Sequence, residues 1–159
     1  MEWRVGIGVD AHPLSGDRPL ILCGVAIPHP KGLMGHSDGD AALHALCDAL
    51  LGALGWGDIG QWFPPSKPEY QGADSRQFVL RIMEQIRAAG WSVVNADITV
   101  VAEEPKLAPY RDQMRQVVAD LLAVPTKQVS VKATTTNALG FVGRQEGIAA
   151  VAIVALSKG

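Results

Sequence analysis

The sequence predicts an α+β fold, a mixed β-sheet with helices packed on one side. Three observations predict it. Segments with period-two alternation open and close the chain and recur in its middle. Three other segments carry apolar residues at spacings of three and four. The two kinds do not follow the strict βαβ order of a parallel fold. A length of 159 residues is about one domain's worth, and 48% hydrophobic residues can fill a sizeable core. No fixed-period repeat, low-complexity tract or long linker divides the chain, so residues 1–159 read as a single domain.

Trp3 to Ala11 alternates small or apolar residues with glycine and reads as a strand. Leu20 to Ile27 is expected to be its hairpin partner, across a loop containing Ser15 to Pro19. Ser37 with Asp40 three residues on resembles a capping box. The helix it opens buries Leu43, Leu46, Cys47, Leu50, Leu51 and Leu54 and stops near Gly55 to Gly57. Pro64, Pro65 and Pro68 make Gln61 to Gly72 a loop. Asp74 or Ser75 caps a second helix with Phe78, Val79, Ile82, Met83 and Ile86 inward, ended by Gly90. Val93 to Ala102 alternates, with Asn95, Asp97 and Thr99 on one face and Val94, Ala96, Ile98 and Val100 on the other. A third helix runs from about Tyr110 to Leu122. Val129 to Thr134 and Ile148 to Leu156 are the last strands.

The net charge of −2 argues against nucleic acid or an anionic membrane surface as the main partner. No window reaches the roughly 18 apolar residues that span a bilayer, and the N-terminus has no signal or transit character. Cys23 and Cys47 read as free buried thiols of a reduced, cytoplasmic protein. A phosphorylated substrate would need its charge met locally. No nucleotide-binding P-loop, complete dinucleotide fingerprint or G-x-S-x-G elbow is present.

Asp10 and His12, two apart on a strand, share one face. Taken singly they are a turn aspartate and an exposed histidine as readily as metal ligands. Asp40, His44 and Asp48 form a polar stripe beside the leucines of the first helix. His44 is there either a hydrogen-bonded boundary residue or a ligand. Two histidines and one carboxylate are a three-ligand set that leaves catalytic zinc an open position. His36 to Asp40 lies at a helix N-terminus, where backbone N–H groups favour an anion. An ordinary cap needs only one or two of those residues, and His36 and Asp38 are unexplained by it. Lys132 to Asn137 places three hydroxyls and a lysine after a strand, suited to phosphate or simply a solvated strand end.

Read together, the segments GVDAHPL, LCGVAIPHPKGLMGHSDGDAALHALCDALLGALGWGDIGQWFP, GADSR, ADITVVAEEPKLAPY and VKATTTNALGFVGRQEGIAAVAIVAL resemble the 2-C-methyl-D-erythritol 2,4-cyclodiphosphate synthases along nearly the full chain. HSDGDAALHALCDALLGA followed by GDIG is highly specific. The resemblance implies cyclisation of 4-diphosphocytidyl-2-C-methyl-D-erythritol 2-phosphate with release of CMP. The substrate's own 2-phosphate attacks the β-phosphorus of its diphosphate. Zn²⁺, one per subunit, is implied on Asp10, His12 and His44, with a second divalent cation, Mg²⁺ or Mn²⁺, between the α- and β-phosphates. His36 and the backbone at Ser37 match phosphate contacts, and Asp48 a residue near the methylerythritol hydroxyls. Asp58 and Gly60 match the ribose site, and Phe63 belongs to the same substrate-binding group. Ala102, Lys106, Leu107, Ala133, Thr134 and Thr135 match the wall that holds cytosine and the diphosphate. Such proteins are homotrimers with active sites between subunits. Phe141, Arg144 and Glu146 match a central trimer cavity, which in some members holds an isoprenoid diphosphate.

Two departures stand out. Asn137 replaces the glutamate that usually coordinates the second metal. Pro65-Ser66-Lys67 replaces an acidic stretch in the loop commonly written FPDTDP. Two competing functions use the same residues: a zinc phosphohydrolase that activates water on a nucleotide diphosphate, and a non-catalytic trimer that binds isoprenoid diphosphates. A hydrolase does not need the wall of Lys106 and Ala133 to Thr135 opposite the metal.

Overall fold

β1 runs Glu2–Gly16, longer than the alternation alone suggests. Its period of two puts Gly6, Gly8, Asp10 and His12 on one face and Val5, Ile7 and Val9 on the other. In the computed structural model, which describes residues 1–159, β1 pairs antiparallel with the last strand, β7 (Gly147–Lys158), from Glu2↔Lys158 to Pro13↔Gly147. The remaining strands are β2 (Leu20–Leu22), β3 (Val25–Ile27), β4 (Lys31–Leu33), β5 (Ser92–Val101) and β6 (Val129–Thr134). The sheet order is β4-β1-β7-β5-β6; β5 and β6 are parallel and the other pairs antiparallel. The mixed sheet matches the expectation.

The hairpin assignment does not hold. Leu20 to Ile27 does not pair with β1 but folds on itself as β2 and β3. Its turn is Cys23-Gly24, both at positive φ (49° and 72°), as a tight two-residue hairpin requires. Full-length pairing with β7 gives β1 a ladder of twelve residue pairs, which the short segment cannot offer.

The helices are α1 (Ala41–Ala53), α2 (Ile59–Trp62), α3 (Arg76–Ala88), α4 (Arg111–Leu122) and α5 (Gly140–Gly143). α1 is buried on nearly every side; among its thirteen residues only His44, Asp48 and Gly52 are not. Its cap is Asp40 rather than Ser37. The Asp40 carboxylate, wholly buried, accepts N–H bonds from Leu43 (3.0 Å), Cys23 (3.0 Å) and Gly24 (2.7 Å). One side chain therefore caps the helix and pins the β2–β3 turn. α3 buries Phe78, Val79, Ile82, Met83 and Ile86 as the spacing predicts. β5 differs in phase. A bulge between Val93 and Asn95 buries Val93, with Ala96, Ile98 and Val100, and leaves Val94 half-buried.

α1 sits directly on the sheet. A Cβ at Gly8 would lie 1.9 Å from the Ala45 carbonyl oxygen, and one at Gly6 1.9 Å from that of Ala49. The helix backbone thus rests on strand backbone, and His44 reaches the next pair on that face, Asp10 and His12. A core of 41 residues joins α1, α3 and α4 to this side of the sheet. The opposite side is bare: Val5, Ile7 and Val9 are 69%, 62% and 62% exposed, and Ile153, opposite Ile7, is 45% exposed. No helix is long and apolar enough to cross a membrane. Cys23 and Cys47 are buried free thiols.

Gly8→Ala should destabilise the chain by about 3 kcal/mol or more, because a methyl cannot enter backbone contact without lifting α1. Urea denaturation measures it; a loss below about 1 kcal/mol would mean that α1 does not need this contact.

Candidate metal centre and adjoining pocket

Asp10 and His12 leave β1 toward α1, and His44 leaves α1 toward them. Asp10 Oδ2 lies 2.6 Å from His12 Nε2 and 3.2 Å from His44 Nδ1, and the two ring nitrogens are 3.2 Å apart. A tetrahedral zinc with bonds of about 2.1 Å spaces its ligands by about 3.4 Å. Both distances from His44 are close to that value. The three side chains are only 27%, 17% and 12% exposed. The triad fits a divalent metal site, with one donor atom from each residue.

The other nitrogen of each ring is also placed. His12 Nδ1 lies 2.8 Å from the Met34 carbonyl, to which it must donate. That turns Nε2 toward Asp10 and His44: protonated, it donates to Asp10, and deprotonated it offers a metal its lone pair. His44 Nε2 lies 2.8 Å from Ser75 Oγ and 3.0 Å from Ser37 Oγ. Gly35 passes so close to the His12 ring that a Cβ there would sit 3.1 Å from it.

Burial works to raise Asp10, but hydrogen bonds from His12 and His44 in their protonated forms, and the charges of those forms, outweigh it and hold the carboxyl at about 2, below the usual 3.8. Burial also works against a charge on His12; the hydrogen bond and charge of Asp10 outweigh it and raise His12 above 6.5. Asp48 is raised, first by burial and also by the charges of Asp58 and Asp10, against the hydrogen bond from Ile59.

The triad opens into a cavity of about 190 Å³ whose lining includes His12, His44, His36, Ser37, Gly60 and Phe63. Four predicted substrate residues, His36, Ser37, Gly60 and Phe63, thus come together with the candidate metal ligands. Phe63 stacks on Phe78 at 4.5 Å, with Tyr70 edge-on to both, so the wall behind the histidines is aromatic. His36 Nε2 donates to the Lys67 carbonyl (3.1 Å), which ties the proline-rich loop to the cavity rim. Asp48 Oδ1 accepts the Ile59 N–H at 2.7 Å, and Asp58 caps α2 through Gln61 N–H. Neither carboxylate lines the cavity. Their bonds shape the loop that carries Gly60.

The other predicted wall does not line it. Ala102, Lys106, Leu107, Ala133, Thr134 and Thr135 lie at the C-terminal ends of β5 and β6 and beyond. The register aligns His12 with Ile148, Ala149 with Val101, and Val101 with Thr134, so β7 and β5 intervene. At about 4.8 Å per strand, Ala133 and Thr134 stand roughly 14 Å, and Ala102 at the end of β5 roughly 10 Å, across the sheet from His12. Asn137 follows them on an exposed turn at φ 54°, its N–H donated to Thr135 Oγ1. Glu103 accepts from Thr136 and Ala138 on either side and sets that turn. Phe141 and Glu146 line a second hollow with Ala11, His12 and Pro13, and Arg144 is paired with Glu146.

Sequence reasoning missed Ser75, Tyr70 and Phe78 as site residues, since a cap serine and helix-face aromatics look structural. Asp38 did carry a signal, as a polar residue in excess of what a cap needs. It accepts Ser75 N–H at 3.0 Å, Asp40 N–H at 3.1 Å and the Ser75 hydroxyl.

The YgbB family model matches residues 3–157. A 2-C-methyl-D-erythritol 2,4-cyclodiphosphate synthase of Actinobacillus pleuropneumoniae serotype 5b is 53% identical over 155 residues, covering 98% of each chain. One from Acinetobacter baumannii is 55% identical over 154 residues, 97% of this chain and 96% of the relative. A solved 2C-methyl-D-erythritol-2,4-cyclodiphosphate synthase with bound CDP superposes at TM-score 0.89 and 38% identity, over 97% of this chain and 100% of the other. The bifunctional IspDF of Campylobacter jejuni superposes at TM-score 0.95 and 40% identity; this chain spans 99% of its own length and 43% of that one.

In metal-free protein the Asp10–His12 pair should give a stability plateau. Asp10 is depressed, so its contribution, roughly 2 kcal/mol, is present above about 4 and lost as pH falls toward 2. His12 is raised, so its contribution is present below 6.5 and lost as pH rises through its folded value. Thermal denaturation of chelator-treated protein across pH checks this, and Asp10→Asn should flatten both limbs. Unchanged limbs in that variant would contradict the assignment.

Proposed function

This chain belongs to the YgbB family, and from that premise we propose that it cyclises 4-diphosphocytidyl-2-C-methyl-D-erythritol 2-phosphate to 2-C-methyl-D-erythritol 2,4-cyclodiphosphate, releasing CMP. It is an enzyme, a cyclising phosphorus–oxygen lyase of isoprenoid precursor synthesis. The observation that carries the reading is the convergence of Asp10, His12 and His44 at the mouth of a cavity that also holds His36, Ser37 and Gly60.

The nucleophile, a phosphate, is already part of the substrate. The chain's work is therefore positioning and charge neutralisation. We assign Zn²⁺ to the triad; when bound, it supplies Lewis-acid polarisation of a phosphoryl oxygen. His12 and His44 present lone pairs because their other nitrogens donate elsewhere, and Asp10 brings the negative charge. His36 and Ser37, just before the positive end of α1, hold phosphate oxygens. Asp48 keeps one oxygen on Ile59, and its other oxygen is assigned to a substrate hydroxyl. Asp58 and Gly60 are assigned to the ribose and Phe63 to the closing wall.

Two observations support a homotrimer with shared active sites. The stripe of Val5, Ile7, Val9 and Ile153 lacks a cover within the chain, and its burial would favour association. The base wall of Ala102, Lys106, Leu107 and Ala133 to Thr135 does not reach the chain's own cavity, so a neighbouring subunit would supply it. In this assembly residues 1–159 form one catalytic domain. Phe141, Arg144 and Glu146 face the central cavity, the proposed seat of an isoprenoid diphosphate. The proposed location is the cytoplasm.

The second divalent cation, Mg²⁺ or Mn²⁺, is assigned to Asn137. Its left-handed backbone favours asparagine, whose short amide tolerates that region better than most side chains. The amide oxygen still ligates a hard cation, without the carboxylate's charge.

Incubation with the diphosphocytidyl substrate and divalent metal should yield cyclic diphosphate and CMP in equal amounts; an open-chain phosphate product would make the protein a hydrolase instead. Asn137→Glu should lower the Mg²⁺ or Mn²⁺ concentration needed for half-maximal rate several-fold. An unchanged requirement would remove position 137 from the metal site.

A further inference from the structure

We infer that Ser75, oriented by Asp38, is a positioning residue that fixes which nitrogen of His44 faces the metal. The inference rests on the metal part of the reading above and adds a control outside the ligand set.

Ser75 occupies the N-cap position of α3, where a serine hydroxyl ordinarily accepts a bond from the helix's first turn. Here it makes no such bond. Ser75 is wholly buried, and its hydroxyl has three polar neighbours: an Asp38 oxygen, His44 Nε2 at 2.8 Å and Ser37 Oγ at 3.5 Å. A hydroxyl carries one hydrogen, and a carboxylate can only accept. The Ser75 hydrogen therefore goes to Asp38, with which Ser75 also makes a backbone bond at 3.0 Å. Its lone pair is left for His44, so His44 Nε2 must donate. A neutral imidazole with hydrogen on Nε2 has its lone pair on Nδ1, the atom 3.2 Å from both Asp10 and His12 Nε2. The sequence carboxylate, hydroxyl, imidazole thus sets the tautomer through one relay, as a second partner commonly does for a ligating histidine. Asp38 is itself held by the Asp40 N–H at 3.1 Å, so the relay is anchored where α1 begins.

Ser37 Oγ, 3.0 Å from the same nitrogen, can also accept from it, but it has no carboxylate within bonding distance to orient its hydrogen. It supplies a reserve partner. A merely structural Ser75 would act as a spacer between α3 and the 36–40 turn, and its loss would lower stability without changing how folded protein binds metal.

The test uses the full-length protein, Zn²⁺ alone as probe and no substrate, so that failure of the cyclase reading leaves it interpretable. Competition against a chromogenic chelator should show Ser75→Ala binding Zn²⁺ about 10–100-fold more weakly, and Ser37→Ala much less affected. The double variant Ser37→Ala/Ser75→Ala should be weaker than either. Nitrogen-15 NMR of metal-free protein at alkaline pH should place the His44 hydrogen on Nε2 in the parent and lose that preference in Ser75→Ala. Ser75→Thr, which keeps the hydroxyl, should recover most of the affinity. Zn²⁺ affinity and tautomer unchanged in Ser75→Ala, whatever its Tm, would overturn the proposal.

Discussion

The contact of α1 backbone on β1 backbone at Gly6 and Gly8 sets the distances on which the site depends. Metal ligation tolerates errors of only a few tenths of an ångström, yet His44 and the Asp10–His12 pair come from elements 32 residues apart in sequence. Two glycines remove every side chain between helix and strand, so no flexible spacer separates the ligand-bearing elements. The alternation that places glycines under Ala45 and Ala49 continues, in the same phase, into Asp10 and His12. Packing and chemistry are consecutive stretches of one strand face.

A second layer of polar contacts keeps the ligands from relaxing. Asp40 holds the start of α1 to the Cys23-Gly24 turn, and Asp38 holds the start of α3 to the 36–40 turn. Met34 and Gly35 close against His12 from the other side. These groups are short-range, and all but His12's partners belong to the 36–40 turn or to residues it bonds. That turn does far more than begin a helix.

Much of this is legible in the sequence, but unevenly. Strict periodicity gave the faces of β1 and α3 because each buries one side against a uniform neighbour. The hairpin at Leu20 to Ile27 was misplaced because alternation identifies a strand without naming its partner; that choice depended on β7, more than a hundred residues away. The phase of β5 slipped at Val94 because a bulge depends on pairing and leaves no period of its own. The triad could be guessed from Asp10, His12 and the His44 stripe. Ser75 could not, since a buried serine before a helix has an ordinary use and only geometry shows that the use is forgone. The base wall was named by resemblance, and its distance from the cavity follows from a strand order that no local pattern encodes.

β1 also carries two obligations in alternate residues: ligands and helix contact on one face, bare apolar surface on the other. Inserting or deleting one residue between Gly8 and Asp10 would exchange the faces beyond that point. The carboxylate and imidazole would turn to the uncovered side, and Ala11 with either Val9 or Pro13 would take their places beneath α1. Compensating substitutions cannot repair this singly, because each restored residue on one face leaves a wrong one on the other. The strand is therefore closed to changes of length, and its bare face is open only to point changes that keep it apolar. Variation in this family should enter β1 as substitution, with insertions confined to the turns at its ends.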